Sequence, residues 1–369
     1  MKIAEQYDEA MKSAPWCIAL GSFDGVHIGH RKLIEILKEE SRLHGTGSMV
    51  YTFHTHPRKI LIPNKHIYLI TDNKKRSEVI EQMGVDMLYL EDFNNIRDMR
   101  AEDFVKDILV GRFSAKSVVI GYNYKFGIKG EGNAEDLKQY GEKYGFKVII
   151  VDAFEVNGHA VSSSLIRYVI RSGNVDKVSQ YLGRDFSVHG EVVYGKQNGE
   201  LMGFKTANID VKKDITLPKK GVYYTSTKVY GKLFKSITNI GFNPTFNGES
   251  LSVETHLLDF CDDIYGEEIE IFFHKHKRDE MKFDTIIFDP PYNLRKSREK
   301  YGGAYIGSLT KIKNALPRIM NDGARIIHFG YDSVGMAKCR GFKKIGICLV
   351  CHNGDHNDTI CLVEEKVLI

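Results

Sequence analysis

The stretch Cys17-Ile-Ala-Leu-Gly-Ser-Phe-Asp-Gly-Val-His-Ile-Gly-His30 limits what this chain can fold into more than any other. Ile18, Ala19 and Leu20 run without polar alternation, as in a strand covered on both faces. Gly21, Gly25 and Gly29 then permit a tight turn and close approach of the backbone to a ligand. The period of Lys32-Leu-Ile-Glu-Ile-Leu-Lys38 predicts a helix opening near Gly29, whose first N–H groups favour an anion. His27 and His30 stand at that same end. Strand, glycine turn, paired imidazoles and helix together read as a phosphate site. The chemistry it suits is nucleotidyl transfer, in which a phosphate oxygen attacks the α-phosphorus of ATP and pyrophosphate leaves. Donors fixed where charge builds lower that barrier without a covalent intermediate.

A chain of 369 residues exceeds one ordinary core, so two or three domains are expected. A net charge of +4 suits nucleotide ligands without demanding nucleic acid. No apolar run is long enough for a membrane span, and the polar, acidic N-terminus shows no signal peptide. Of six cysteines, four fall after residue 338, which is no secreted disulfide framework; a reducing cytoplasm is the expected compartment.

Strands and helices alternate through the first half. Ser48–Phe53, Asp86–Leu90, Ser117–Gly121 and Val148–Val151 read as strands. Thr71–Met83, closed by Gly84, and the amphipathic Ala101–Leu109 read as helices. A parallel, doubly wound Rossmann-like α/β sheet follows, with ligands at its strand ends. Gly121-Tyr-Asn-Tyr-Lys-Phe-Gly127 is such an end, and Val161-Ser-Ser-Ser-Leu-Ile-Arg167 offers hydroxyls and a guanidinium as a triphosphate clamp. Ser172–Gly183 reads as a linker helix. Beyond it the period becomes two, at Ser187–Tyr194, Tyr223–Tyr230 and Leu251–Leu258, with Tyr230-Gly-Lys-Leu as a hairpin signal. Short strands without helices argue for a small antiparallel β-barrel. No Gly-x-x-x-x-Gly-Lys-Ser/Thr loop occurs.

Over about residues 15–284, these motifs and their order resemble the prokaryotic bifunctional riboflavin kinase/FMN adenylyltransferases. The resemblance implies an FMN adenylyltransferase domain over 1–184, with ATP, FMN and riboflavin as substrates. In it Gly21, Phe23, Asp24, Gly25, Asn123, Ser163, Ser164 and Arg167 would bind nucleotide, and His27 and His30 would be catalytic. His56-Pro57 match the family's Asp-Pro-His-Pro, whereas His54 and Thr55 depart from it. A riboflavin kinase barrel over 185–284 is implied by Gly203-Phe-Lys-Thr-Ala-Asn208, where Lys205 replaces the usual proline. Gly203 would bind ATP, Thr206 and Asn208 would hold Mg²⁺, and Glu254 would be the base. Asn239-Ile-Gly-Phe-Asn-Pro-Thr-Phe246 also matches. The terminal helix that the family packs on this barrel is replaced, which leaves the activity of the kinase half in question.

Residues 285–369 depart from the family. The run Thr285-Ile-Ile-Phe-Asp-Pro-Pro-Tyr-Asn293 resembles the motif of adenine-N6 nucleic-acid methyltransferases, with Asp289, Pro290, Pro291 and Tyr292 matching. A helix near Ser308–Met320, a strand at Ala324–Phe329 and a final hairpin would complete a half-Rossmann fragment. No glycine-rich S-adenosylmethionine loop accompanies it, so that cofactor is not expected, and nucleic acid could bind only through this tail. Cys348-x-x-Cys351, with Cys339, His352, His356 and Cys361 nearby, invites zinc, but Cys348 and Cys361 sit in apolar, strand-like runs.

Overall fold

The computed structural model describes residues 1–64, 66–193, 206–245, 248–260, 262–276, 283–288, 313, 316–330, 342–350 and 359–367. Met1–His276 form one compact unit and Lys277–Ile369 a second. The first unit opens with six parallel strands: β1 (Lys2–Ala4), β2 (Trp16–Leu20), β3 (Gly47–Phe53), β4 (Met87–Glu91), β5 (Ala115–Gly121) and β6 (Lys147–Val151). Their order is β1-β4-β3-β2-β5-β6. The chain crosses from one side of β2 to the other between β4 and β5, which opens a crevice at the strand ends. The apolar run of β2 has the double burial that its sequence demands. Ile18 and Leu20 enter one core layer, Cys17 and Ala19 the other.

Helices flank this sheet: α1 (Ile28–His44), α2 (Pro57–Leu61), α3 (Asn73–Gln82), α4 (Phe93–Ile96), α5 (Ala101–Asp103) and α6 (Ala134–Tyr144). The helix expected at Ala101–Leu109 is present, α-helical over α5 and continued by a π-helical run, Phe104–Arg112. Its wider winding, with Phe113 N–H donating to Ile108 O, keeps Phe104, Val105, Ile108 and Leu109 all in the core. A short hairpin, β7 (Glu155–Val156) with β8 (His159–Ala160), precedes α7 (Ser163–Arg171) and α8 (Val175–Leu182). The linker helix is no loose tether. Val175, Val178 and Leu182 of α8 share one core with the strands that follow.

Those strands, β9 (Phe186–Val193), β10 (Ala207–Asp210), β11 (Gly221–Val229), β12 (Lys232–Thr245), β13 (Gly248–Leu257) and β14 (Glu268–His276), close a barrel in the order β10-β13-β12-β11-β14-β9. Positive φ at Tyr230 and Gly231 gives the β11–β12 hairpin a tight turn of the sense its strand twist requires. Val188, Tyr223, Ile240, Val253, Ile271 and Phe273 fill the interior. Among them lies a cluster of buried hydroxyls. Thr225 contacts Ser236 at 2.7 Å and Thr238 at 2.8 Å, Thr227 contacts Ser236 at 2.8 Å, and Thr238 contacts Thr255 at 2.9 Å.

The second unit holds a four-stranded sheet, β15 (Phe283–Phe288), β16 (Met320–Gly330), β17 (Phe342–Val350) and β18 (Thr359–Lys366), ordered β15-β16-β18-β17. β15 and β16 are parallel, and β17–β18 form an antiparallel hairpin, as the sequence suggests. The expected helix at Ser308–Met320 is shortened at its end: Leu316–Ile319 is a single 3-10 turn, and Met320 already begins β16. Asp289, Pro290, Pro291 and Tyr292 lie outside the described residues, as do Cys339, Cys351, His352 and His356. Cys348 and Cys361 stand opposite each other on β17 and β18.

Candidate active sites

The turn between β2 and α1 opens on a cavity of about 690 Å³ at the strand ends. Such a volume suits a nucleotide-sized ligand. His27 caps α1, and its Nδ1 accepts from His30 N–H at 3.3 Å. The imidazole proton of His27 is therefore on Nε2, free to donate. The His27 and His30 rings stack at 3.7 Å and 16°, and both line the cavity. Burial, aided by Arg184, lowers His27 to about 4. Burial, then His27, Arg76 and Arg184, holds His30 well below the usual histidine range. Both rings are uncharged donors near neutral pH, set among fixed cations. His30 Nδ1 is buried without a partner among the described residues. A ligand oxygen would satisfy it.

The other expected nucleotide residues divide into two groups. Gly21, Asn123, Ser163, Ser164 and Arg167 line the cavity with the histidines. Phe23, Asp24 and Gly25 are buried behind its wall. Asp24 Oδ1 accepts from Ile70 N–H at 2.8 Å and Thr71 N–H at 3.4 Å, and Oδ2 accepts from Arg167 at 2.6 Å. Burial raises the Asp24 carboxyl above its usual range, against the pull of Arg167. Gly25 has φ of 81°, and a Cβ there would meet Ile70 at 2.9 Å, so no side chain fits. Arg167 thus has a structural partner as well as a cavity position. Its side chain is 16% exposed and that of Asp24 is 2% exposed, so truncating the arginine strands a buried charge. Arg167→Met is expected to cost about 3–5 kcal/mol in urea unfolding. A loss below about 1 kcal/mol would mean that the ion pair is not what holds Asp24.

A second group of polar residues lies on the barrel's outer face. Glu254 of β13 stands opposite Asn208 of β10 on one side and Asn239 of β12 on the other. Directly opposed residues of antiparallel strands point the same way, so a carboxylate sits between two amides. Val253, Thr255 and Leu257 are buried, while Glu254 is only part-buried. Thr206 is part-buried and immediately precedes β10; Gly203 lies outside the described residues.

The FAD synthetase family model matches residues 9–165, and the riboflavin kinase family model matches residues 182–287. A protein of Listeria monocytogenes, a bifunctional riboflavin kinase/FMN adenylyltransferase, is 36% identical over 272 residues, covering 73% of this chain and 86% of the relative. The chain belongs to the bifunctional riboflavin kinase/FMN adenylyltransferase family. A Bacillus subtilis member of that family is 32% identical over 275 residues, covering 73% of this chain and 86% of its own. A solved chain described as a macrolide-efflux protein of Streptococcus pneumoniae aligns with TM-score 0.69 and 30% identity, over 77% of this chain and 93% of that one. No helix among the described residues is long and apolar enough to cross a membrane. Neither family model extends past residue 287.

Within this family frame, some residues around the histidines escape a sequence reading. Phe53, Phe93, Phe104, Phe126 and Phe154 line the cavity and give it flat apolar walls, yet they come from β3, α4, the π-helical run and two separate loops. Arg76 donates to Ser22 O at 3.1 Å and Phe53 O at 2.6 Å, fixing two strand ends that border the site. Asn239 could have been found by its position in Asn239-Ile-Gly, read against the alternation of β12. Arg76 lies in a charged helical run and carries no local signal.

Proposed function

We propose that the chain performs two successive ATP-dependent steps in FAD biosynthesis. In the first, riboflavin takes the γ-phosphoryl group of ATP, giving FMN and ADP. In the second, an FMN phosphate oxygen attacks the α-phosphorus of ATP, the bond to the β-phosphate oxygen breaks, and pyrophosphate leaves. The observation that carries the second step is the stacked, uncharged His27–His30 pair at the N-terminus of α1, opening on the cavity. In this reading the imidazole N–H groups and the helix end donate to phosphate oxygens as charge develops there. Asn123, Ser163, Ser164 and Arg167 orient the nucleotide, and the phenylalanine walls take the flavin ring.

For the first step, Glu254 takes the proton of the riboflavin 5′-hydroxyl, between Asn208 and Asn239. Thr206 and Asn208 supply a hydroxyl and an amide oxygen, hard neutral donors that suit Mg²⁺ with most of its shell left to water and phosphate. They would hold the ion, which neutralises charge on the transferring phosphates when bound. A cytoplasmic setting belongs to the same proposal and rests on the cysteine pattern. For residues 285–369 the methyltransferase resemblance supplies only a motif, and we assign them no reaction and no nucleic acid.

The test is a product assay on the full chain with riboflavin or FMN, ATP and Mg²⁺, separating FMN from FAD by chromatography. FAD from FMN and FMN from riboflavin are the expected products. Absence of FAD from FMN would sink the reading of the N-terminal cavity. Absence of FMN from riboflavin would sink that of the barrel face.

A further inference from the structure

The turn that presents His27 is strained. Phe23 and Val26 adopt φ of 48° and 40°, conformations that L side chains rarely take, on either side of Gly25 at 81°. Such a turn persists only where its surroundings over-determine it. One hold is Asp24, whose carboxylate takes the N–H groups of Ile70 and Thr71 while Gly25 N–H donates to Thr71 Oγ1 at 3.1 Å. The other hold comes from far along the chain. Arg184 follows Gly183, the left-handed cap of α8, and stands just ahead of β9. Its Nη2 donates to Gly25 O at 2.7 Å, and its Nη1 donates to Val26 O at 3.2 Å and Leu182 O at 3.4 Å. The two turn carbonyls it grips are those immediately before the His27 backbone.

We infer that Arg184 is a positioning residue for adenylyl transfer, gripping the strained turn from the barrel side so that His27 stays in place at the cavity wall. The inference rests on reading that cavity as the adenylyl-transfer site. Arg184 faces the wall and not the cavity, so it acts through His27 and not on substrate. A planar guanidinium fork meets two neighbouring carbonyls at once, whereas an ammonium reaches one or the other. Ser163 Oγ adds a third contact, donating to Asp24 O at 2.9 Å, so the turn is also tied to α7. The segment that joins α8 to the barrel therefore contributes to the geometry of the N-terminal site.

The experiment compares Arg184→Met and Arg184→Lys with the parent full chain, measuring FAD formation from FMN and riboflavin phosphorylation in the same preparations. With Arg184→Met, kcat for FAD formation is expected to fall about tenfold or more, as small misplacement of a catalytic group does. KM for ATP and FMN should stay within about threefold, because no substrate contact is removed. Arg184→Lys should lie between the two. Riboflavin phosphorylation, within about twofold of the parent, reports that the barrel is folded. A second readout is the acid limb of kcat/KM. Arg184 lowers both imidazoles and Arg76 lowers His30 as well, so loss of the Arg184 charge should move that limb to higher pH. Unchanged kcat in Arg184→Met overturns the inference, and so does a parallel fall of both activities with lowered Tm in both variants. If Arg184→Met does not fold, Arg184→Lys decides alone: lowered kcat at unchanged KM supports the inference and unchanged kcat overturns it. Failure of the site reading is separate, since it would appear as full FAD formation after His30→Ala.

Discussion

Replacing His30 with alanine is expected to lower FAD formation from FMN by about 100- to 1,000-fold, the usual cost of removing one fixed donor to a developing charge. Riboflavin phosphorylation in the same preparation should change by less than about twofold, because Glu254 belongs to the barrel and not to this cavity. The His30 ring stacks on His27 and tilts against Phe23 at 5.0 Å, so the substitution also removes support for its neighbour. Chromatographic product analysis at saturating ATP reads both activities together. If more than about a tenth of the FAD-forming rate survived, the stacked pair would not be the group that meets the phosphates.

The second large effect is expected at Glu254. Glu254→Gln keeps the size and the hydrogen-bonding capacity but removes the base, and riboflavin phosphorylation should fall by about 100- to 10,000-fold. FAD formation from supplied FMN should be unaffected. The pair of variants is thus reciprocal, each silencing one product and sparing the other. The discriminating measurement is the split of kcat against KM. Loss of the base lowers kcat at unchanged KM for riboflavin and ATP, whereas a disturbed strand would raise KM and lower Tm. Retention of most kinase activity would leave the carboxylate between Asn208 and Asn239 without its assigned part.

Much of this arrangement was legible in the sequence because the signals are local. The unbroken apolar run of β2, the glycines behind it and the helical period of α1 sit within one βα unit, and double burial of β2 requires that pattern. The barrel announced itself through alternation and through Tyr230-Gly231. The π winding of Phe104–Arg112 was not legible, because a hydrogen bond reaching five residues back and not four leaves no trace in a pattern that already fits an amphipathic helix. At Asp24 the motif carried no sign of the partners its carboxylate takes, Ile70, Thr71 and Arg167, which lie 46 to 143 positions away. Arg184 was invisible because its bond to Val26 O spans 158 positions. No periodicity connects residues that far apart.

The hydroxyl cluster inside the barrel has a consequence for how β12 can be threaded. Ser236 and Thr238 point inward to Thr225, Thr227 and Thr255, while Lys235, Ile237 and Asn239 alternate with them. Sliding β12 by one position would bring Lys235, Ile237 and Asn239 against the buried hydroxyls of Thr225, Thr227 and Thr255, and would turn Ser236 and Thr238 out to water. An apolar lining would tolerate that slip far better, since one aliphatic contact resembles another. Matched donors and acceptors do not. The interior of the barrel thus acts as a key for its exterior: the threading that satisfies the buried hydroxyls is also the one that sets Asn239 beside Glu254.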